Sequence, residues 1–534
     1  MKRLNVWAGA ALLPALAGLA AAGGQAPFGL WALSLFGFAV LVWHVAGADG
    51  ARARAFRGWA GGAGYFAGTL FWIVEPFMVE AEKDGWMAPF ALVFMAGGMA
   101  LFWLAAGLCA GLAEFAANMA QRLPRPVAQS DRAGQASERA TYQSTSRRLR
   151  VGRSVGFALG LAASDLARTY VLTGFPWALA GHIWIDTPVA QAAAFVGPVG
   201  LSVLTMLLAA LPVMAATGRG RAVGLLAAGA ILAGIWAGGT ARLAAPDPVR
   251  DPAIRVRLVQ PNATQSLKWQ PGMRQVFLDR LITAGGGVSA RKPDLIVWPE
   301  TSVPYLLEDA GGVFAEALAI SGGVPMAIGL QRAEGVRYFN SLVGVGADGR
   351  VMASYDKHHL VPFGEYIPMG DLLGRFGISA YAAQAGYGYS PGPGARVLDL
   401  GRAGKVLPLI CYEAVFPQDL RAAPERADWI LQVTNDGWFG ALAGPWQHLA
   451  QARLRAIEQG LPLLRAANTG VSAVVDAKGR MIAHLPLDTY DWLDADVPGA
   501  LPTPFYARTG DVPATIFLLA GLLVLFWHGR RVRG

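Results

Sequence analysis

Cysteine is nearly missing from these 534 residues: there are two, Cys109 and Cys411. They fall in unlike surroundings, the first inside a long apolar run and the second far downstream, so no useful disulfide joins them and a disulfide framework is excluded. Charge is scarce as well. With 15% charged residues, 54% hydrophobic and 17 tryptophans, this is not the make-up of an ordinary soluble enzyme. Histidine gives no metal-ligand spacing, since His358 and His359 are adjacent and His448 has no second ligand at helical distance. No Gly-rich phosphate loop follows a strand, and Gly440-Ala441-Leu442-Ala443-Gly444 reads only as a loop. Neither a metal nor any other cofactor is expected. The net charge of +9 would suit nucleic acid, but the arginines behind it cluster at the edges of apolar runs, so no nucleic-acid partner is expected.

What is abundant is apolar sequence. Runs near 5–22, 28–47, 58–78, 88–112, 152–172, 188–216, 222–241 and 512–528 are each long enough to cross a bilayer core, which takes roughly 17–25 residues. The expectation is eight spans. The fifth is interrupted by Ser164, Asp165 and Arg168, and charges at that depth face protein or water rather than lipid. Arginine and lysine alternate as eight spans require: Lys2 and Arg3, then Arg52, Arg54 and Arg57, then a dense group from Arg122 to Arg150, then Arg219 and Arg221, then Arg530, Arg531 and Arg533. Those segments read as cytoplasmic, with both termini inside. The first run also has the look of a signal peptide; a polytopic chain needs no cleavage, so it reads as a retained span.

Three domains follow from this pattern. Residues 1–247 hold spans one to seven with a polar insertion at 114–150, which is expected to be mobile because it cannot bury enough apolar surface to offset its ordering. Residues 507–534 supply the last span and a basic tail. Between them, 248–506 read as an outer α/β domain. Short Val/Ile/Leu-rich runs at 254–260, 294–298, 326–330, 342–345, 406–410 and 429–433 suit strands buried on both faces, with helices near 271–284, 312–320 and 445–459.

Three polar residues stand out there. Glu300 closes Asp294-Leu295-Ile296-Val297-Trp298-Pro299-Glu300, Lys357 lies in Tyr355-Asp356-Lys357-His358-His359, and Cys411 ends Pro408-Leu409-Ile410-Cys411. Cys411 alone reads as a buried core thiol, as Cys109 does. The base and the cation reverse that reading. A thiol with an ordinary pKa of about 8.5 needs such neighbours to act as a nucleophile. Glu300 and Cys411 fall just past strand ends, where α/β folds place their sites. Each residue has a plainer alternative: Glu300 as a helix cap, Glu365 and Glu413 as exposed surface carboxylates.

These motifs resemble the nitrilase superfamily, which implies an αββα sandwich and a Glu-Lys-Cys triad of Glu300, Lys357 and Cys411. With eight spans around that domain, the chain is similar to the apolipoprotein N-acyltransferase family. The run from Lys357 through Val361-Pro362-Phe363-Gly364-Glu365-Tyr366 to Pro368 carries that likeness, with Cys411-Tyr412-Glu413 and Ser266-Leu267-Lys268-Trp269. It implies a bacterial inner-membrane enzyme with its catalytic domain on the periplasmic side, working as a monomer. The acyl donor is a phospholipid, typically phosphatidylethanolamine, and the acceptor a diacylated apolipoprotein. Cys411 would take the sn-1 acyl chain as a thioester and pass it to the lipoprotein amine. Glu300 is the expected base, Lys357 and the Tyr412 N–H the oxyanion donors, and Glu365 and Glu413 their supports. Trp269, Phe363, Tyr366 and Met369 are candidates for the mouth of a lipid groove. The alternatives are a membrane-tethered nitrilase-type amidohydrolase and, outside enzymes, a polytopic lipid-binding or transport protein.

Overall fold

Each of the eight apolar runs overlaps a helix in the computed structural model, which describes residues 2–121, 132–215, 217–368 and 388–532. Helices suit such sequence because the i→i−4 ladder satisfies the backbone without help from solvent. By length and composition, four helical stretches among the described residues could cross a membrane: Ala81–Cys109, Pro188–Met214, Gly218–Ala244 and Val512–Arg531. Ala10–Ala22 and Trp31–Ala46 are shorter apolar helices. The chain divides into two units, one of Met1–Val74, Trp86–Ala244 and Asp511–Gly534, the other of Glu75–Gly85 and Ala245–Gly510.

Close helix packing in the first unit depends on small residues. A Cβ on Gly64 would collide with the Ala15 carbonyl and one on Gly58 with that of Trp103. The third apolar run departs from expectation: its helix covers Ala51–Thr69, and the chain then passes into a 3₁₀ turn at Phe71–Val74. The polar interruption at Asp165 and Arg168 is turned inward. Arg168 pairs with Asp165 at 2.6 Å and donates to the carbonyl of Trp177 at 2.8 Å, while Asp165 accepts from the Ala180 N–H at 2.8 Å. The pair thus satisfies an irregular stretch that has no ladder of its own. A second charge cluster in this unit is part-buried: Arg54 meets Glu114 at 2.9 Å and Arg153 meets the same carboxylate at 2.6 Å. Of the polar insertion, residues 122–131 lie outside the described residues. Arg132–Tyr170 is one helix, so the polar stretch before the fifth run continues it rather than standing apart; extending a helix avoids the cost of nucleating one.

The second unit is built from strands β1 (Arg255–Gln260), β2 (Leu295–Trp298), β3 (Met326–Glu334), β4 (Arg337–Val345), β5 (Val351–Asp356), β6 (Leu398–Asp399), β7 (Lys405–Ile410), β8 (Trp429–Thr434), β9 (Leu463–Ala467), β10 (Ala473–Val475), β11 (Met481–His484) and β12 (Asp491–Asp496). They form two six-stranded sheets, ordered β12-β1-β2-β3-β4-β5 and β11-β10-β9-β8-β7-β6. Each has three parallel strands at its centre, β1-β2-β3 and β7-β8-β9.

Alternation along these strands makes the layers. Leu295 and Val297 join Val406, Ile410, Leu431 and Val433 in one core between the sheets. Their neighbours Ile296 and Trp298 pack outward with Leu281, Phe314 and Leu318 from the helices Pro271–Gly285 and Gly311–Ser321. On the other side Leu407, Leu409 and Ile430 meet Leu449, Ala452 and Ala456 of the helix Gly444–Gln459. Burial on both faces favours apolar residues at successive positions, as in β2 and β7, and the polar residues that do occur are paired, as Arg257 of β1 is with Asp494 at 2.7 Å. The result is an αββα sandwich with two sheets.

Candidate active site

Three strand ends supply the site. Glu300 follows β2 after Pro299, Lys357 follows β5 directly, and Cys411 follows β7 directly. Cys411 has φ +49° and Thr301, beside Glu300, has φ +47°, left-handed values that cost a residue with a Cβ on the order of 1–3 kcal/mol. Such turns lift the side chain out of the sheet plane, and the surroundings hold them. Glu413 Oε2 accepts from the Ile410 N–H at 2.7 Å, pinning the turn on its near side. The Cys411 carbonyl accepts from His448 Nε2 at 3.0 Å and Gln432 Nε2 at 3.3 Å on the other.

Glu300, Lys357 and Glu365 converge in one buried cluster. Lys357 Nζ lies 2.7 Å from Glu365 Oε1 and 3.5 Å from Glu300 Oε1. Asn340, on β4, donates to Glu300 Oε1 at 2.8 Å and to Glu365 Oε1 at 3.3 Å. The second Glu300 oxygen accepts from the Asn435 N–H at 2.8 Å, and the second Glu365 oxygen from the Val361 N–H at 2.8 Å. Glu300 is therefore held by an amide, a main-chain N–H and an ammonium, and it makes no helix cap.

Burial pushes the Cys411 thiol well above its usual range, the Glu300 charge pushes it further, and Lys357 pulls the other way without prevailing. The resting group is a thiol, so its proton has to leave during attack. Burial works against the Lys357 ammonium too, but the charges of Glu365 and Glu300 outweigh it and hold that pKa up. Glu365 is raised by burial and by the neighbouring Glu300 charge, with Lys357 opposing. A neutral thiol beside a carboxylate and a fixed cation is suited to attack on a carbonyl: the carboxylate receives the proton and the cation meets the developing oxyanion.

Glu413 is not a surface carboxylate. It is wholly buried, and its Oε1 accepts from the His358 N–H and the Tyr355 hydroxyl, each at 2.8 Å, so one side chain ties the Cys411 turn to the Lys357 loop. Glu365 is buried likewise. The Tyr412 ring packs edge-on against Phe416 at 4.9 Å. Trp269 is half-buried and reaches the cluster through its neighbour: Lys268 Nζ lies 5.1 Å from the Trp269 ring centroid and 3.5 Å from the Glu300 carbonyl. Burial pulls the Lys268 ammonium down to about 8, with the Glu300 charge opposing. Phe363 is exposed at φ +63° and Tyr366 is half-buried; Met369 lies outside the described residues.

Sequence reasoning passed over Asn340, Thr434, Asn435, Asp436 and His448. Thr434 works against burial at the Cys411 thiol, drawing its pKa down. The strand-end rule that picks out Glu300 and Cys411 applies equally to Thr434-Asn435-Asp436, which close the apolar run of β8. His448 was weighed only as a metal ligand, and its role is with the backbone. Among the described residues no group of His, Cys, Asp and Glu is arranged to hold a metal ion.

Residues 255–501 match the carbon-nitrogen hydrolase family, and residues 17–211 match the apolipoprotein N-acyltransferase N-terminal domain. The apolipoprotein N-acyltransferase of Sinorhizobium fredii is 36% identical over 509 residues, covering 91% of this chain and 90% of that protein. That of Brucella melitensis is 35% identical over 546 residues, covering 97% and 95%. Among solved structures, an amidase from Nesterenkonia sp. aligns at 21% identity over 50% of this chain and 97% of its own, with a TM-score of 0.34.

Proposed function

The chain belongs to the apolipoprotein N-acyltransferase family and is an acyltransferase of lipoproteins; we propose that it works through a thioester on Cys411, with Glu300 as the base and Lys357 as an oxyanion donor. The observation that carries this reading is the buried cluster in which Lys357 lies 2.7 Å from Glu365 and 3.5 Å from Glu300, beside a thiol whose charge state both partners influence.

In the first half-reaction the Cys411 sulfur attacks the sn-1 ester carbonyl of a phospholipid while Glu300 takes the thiol proton. The C–O bond then breaks, and the departing lysophospholipid oxygen receives that proton. In the second half the α-amine of a diacylated lipoprotein attacks the thioester. Glu300 accepts the amine proton, and the sulfur leaves to become a thiol again. Lys357 stays charged throughout and meets the oxyanion of both tetrahedral intermediates, with the Tyr412 N–H as second donor. Glu365 keeps Lys357 in place. An ester becomes an amide, so no energy source is consumed.

Both substrates carry acyl chains, and the apolar helices give the enzyme a place beside them. Phosphatidylethanolamine is the proposed donor. The proposed arrangement is a monomer with eight spans in the bacterial inner membrane and the catalytic domain on the periplasmic face, as the arginine alternation supports. The domain limits proposed from sequence, 1–247, 248–506 and 507–534, go with it. Trp269 is proposed to contact the lipid.

The test is partition of the acyl group. Purified protein receives phospholipid labelled in its sn-1 chain, with or without a diacylated lipopeptide bearing a free amine. Label appearing as an amide on the peptide is expected. Label released as free fatty acid, at a rate the peptide does not change, would make the protein a hydrolase instead.

A further inference from the structure

One peptide unit joins Cys411 to Tyr412, and it is trans, so the Cys411 carbonyl and the Tyr412 N–H point in opposite directions. Whatever fixes the carbonyl oxygen aims the N–H. That oxygen is gripped from the helix Gly444–Gln459 by His448 Nε2 at 3.0 Å and from β8 by Gln432 Nε2 at 3.3 Å. A carbonyl oxygen only accepts, so His448 Nε2 carries the hydrogen.

The imidazole is itself fixed. Its Nδ1 lies 2.9 Å from Asp436 Oδ1 and 3.2 Å from Arg465 Nη2. Asp436 is in turn bound by Arg465 and, at 3.0 Å, by the Thr434 hydroxyl. His448, Arg465 and Gln432 have no solvent exposure and Asp436 has 1%. A charged network sealed this deeply is costly to bury unless its geometry is close to ideal, and here it ends on the carbonyl of Cys411, whose backbone is held at φ +49°.

We propose that His448, oriented by Asp436 and Arg465, is a positioning residue for acyl transfer: it anchors the Cys411 carbonyl and so aims the Tyr412 N–H at the oxyanion. His448 touches no reacting atom and acts through the peptide unit alone. The inference rests on the thioester reading, and it predicts a selective defect. Attack on an ester needs the oxyanion donor, whereas alkylation of the same thiol by iodoacetamide displaces a halide and forms no oxyanion.

The experiment uses the full-length protein in a Cys109→Ala background, so that Cys411 is its one thiol. Acyl-adduct formation from phosphatidylethanolamine and alkylation by iodoacetamide are timed separately, by intact mass. In His448→Leu the acyl adduct should form at least about 30-fold more slowly, short of the roughly 100- to 1,000-fold that removing an oxyanion donor outright costs, while alkylation and the phospholipid concentration for half-maximal rate stay within about threefold. His448→Gln, whose side-chain nitrogen can replace Nε2, should recover part of the loss. Equal slowing of both reactions would overturn the proposal and leave His448 a general support of the fold. Acylation within threefold of the parent would overturn it as well. A parent protein that forms no acyl adduct at all would instead remove the thioester reading, and this inference with it.

Discussion

Lys357 stands closer to Glu365 than to Glu300: the ammonium is 2.7 Å from the first carboxylate and 3.5 Å from the second. Glu365 thereby neutralises the lysine at close range, while the shortest contacts to the Glu300 oxygens, 2.8 Å each, come from neutral donors, Asn340 and the Asn435 N–H. In Glu365→Gln, Lys357 should collapse onto Glu300, and acylation of Cys411 should fall by about 100-fold, the lower end of what general-base help provides. Lys357→Arg should fail too, since a planar guanidinium cannot occupy the same point. Single-turnover acylation of the two variants checks both, and near-parental rates in Lys357→Arg would show that charge alone matters.

Stability should carry a pH signature from Glu413 and His358. Burial opposes the charged imidazole, but Glu413 and Asp419 raise the His358 pKa above its ordinary 6.5; burial likewise opposes the Glu413 carboxylate, and His358 lowers it below 4.5. The histidine's contribution is complete below 6.5 and fades as pH rises through the raised folded value. The glutamate's is complete above 4.5 and fades as pH falls through the lowered one. Thermal unfolding midpoints of the purified protein should decline on the alkaline side of this window, and His358→Gln should flatten that limb. Glu413→Ala should cost about 3–5 kcal/mol, the range for removing one partner of a buried pair.

Most of the parallel strands and their flanking helices were legible because burial on both faces favours a largely apolar run: 294–298 became β2 and 406–410 became β7 with ends shifted by one residue. The remaining strands were less so: 342–345 was read and lies in the antiparallel β4, while β5, β6, β10, β11 and β12 were missed, as was β9 of the parallel centre. β9 reads Leu463-Leu464-Arg465-Ala466-Ala467, and its arginine breaks the run because Asp436, distant in sequence, supplies the partner that permits burial. The same non-local logic hid Asn340 and His448, whose roles depend on which strand ends meet. Glu300 and Cys411 could be read because each stands where an apolar run stops, and Lys357 through the motif around it. Among the membrane runs, composition marks an apolar stretch but not where its helix ends, as the break after Thr69 shows.

The proposed topology is tested by labelling. A single engineered cysteine at Ser390, in a Cys109→Ala and Cys411→Ala background, should react with a membrane-impermeant maleimide in intact spheroplasts, and one at Thr145 only after lysis. Reaction at 390 only after lysis would put the catalytic domain in the cytoplasm.

The central claim is that Cys411 carries the acyl group between two substrates. The most direct measurement is the intact mass of the purified protein after incubation with phosphatidylethanolamine and no acceptor. One fatty-acyl increment is predicted, mapping to Cys411, removed by hydroxylamine or by a diacylated lipopeptide, unchanged in Cys109→Ala and missing in Cys411→Ser. An increment that survives in Cys411→Ser, or a parent that transfers acyl chains to the lipopeptide without acylation of Cys411, would contradict it.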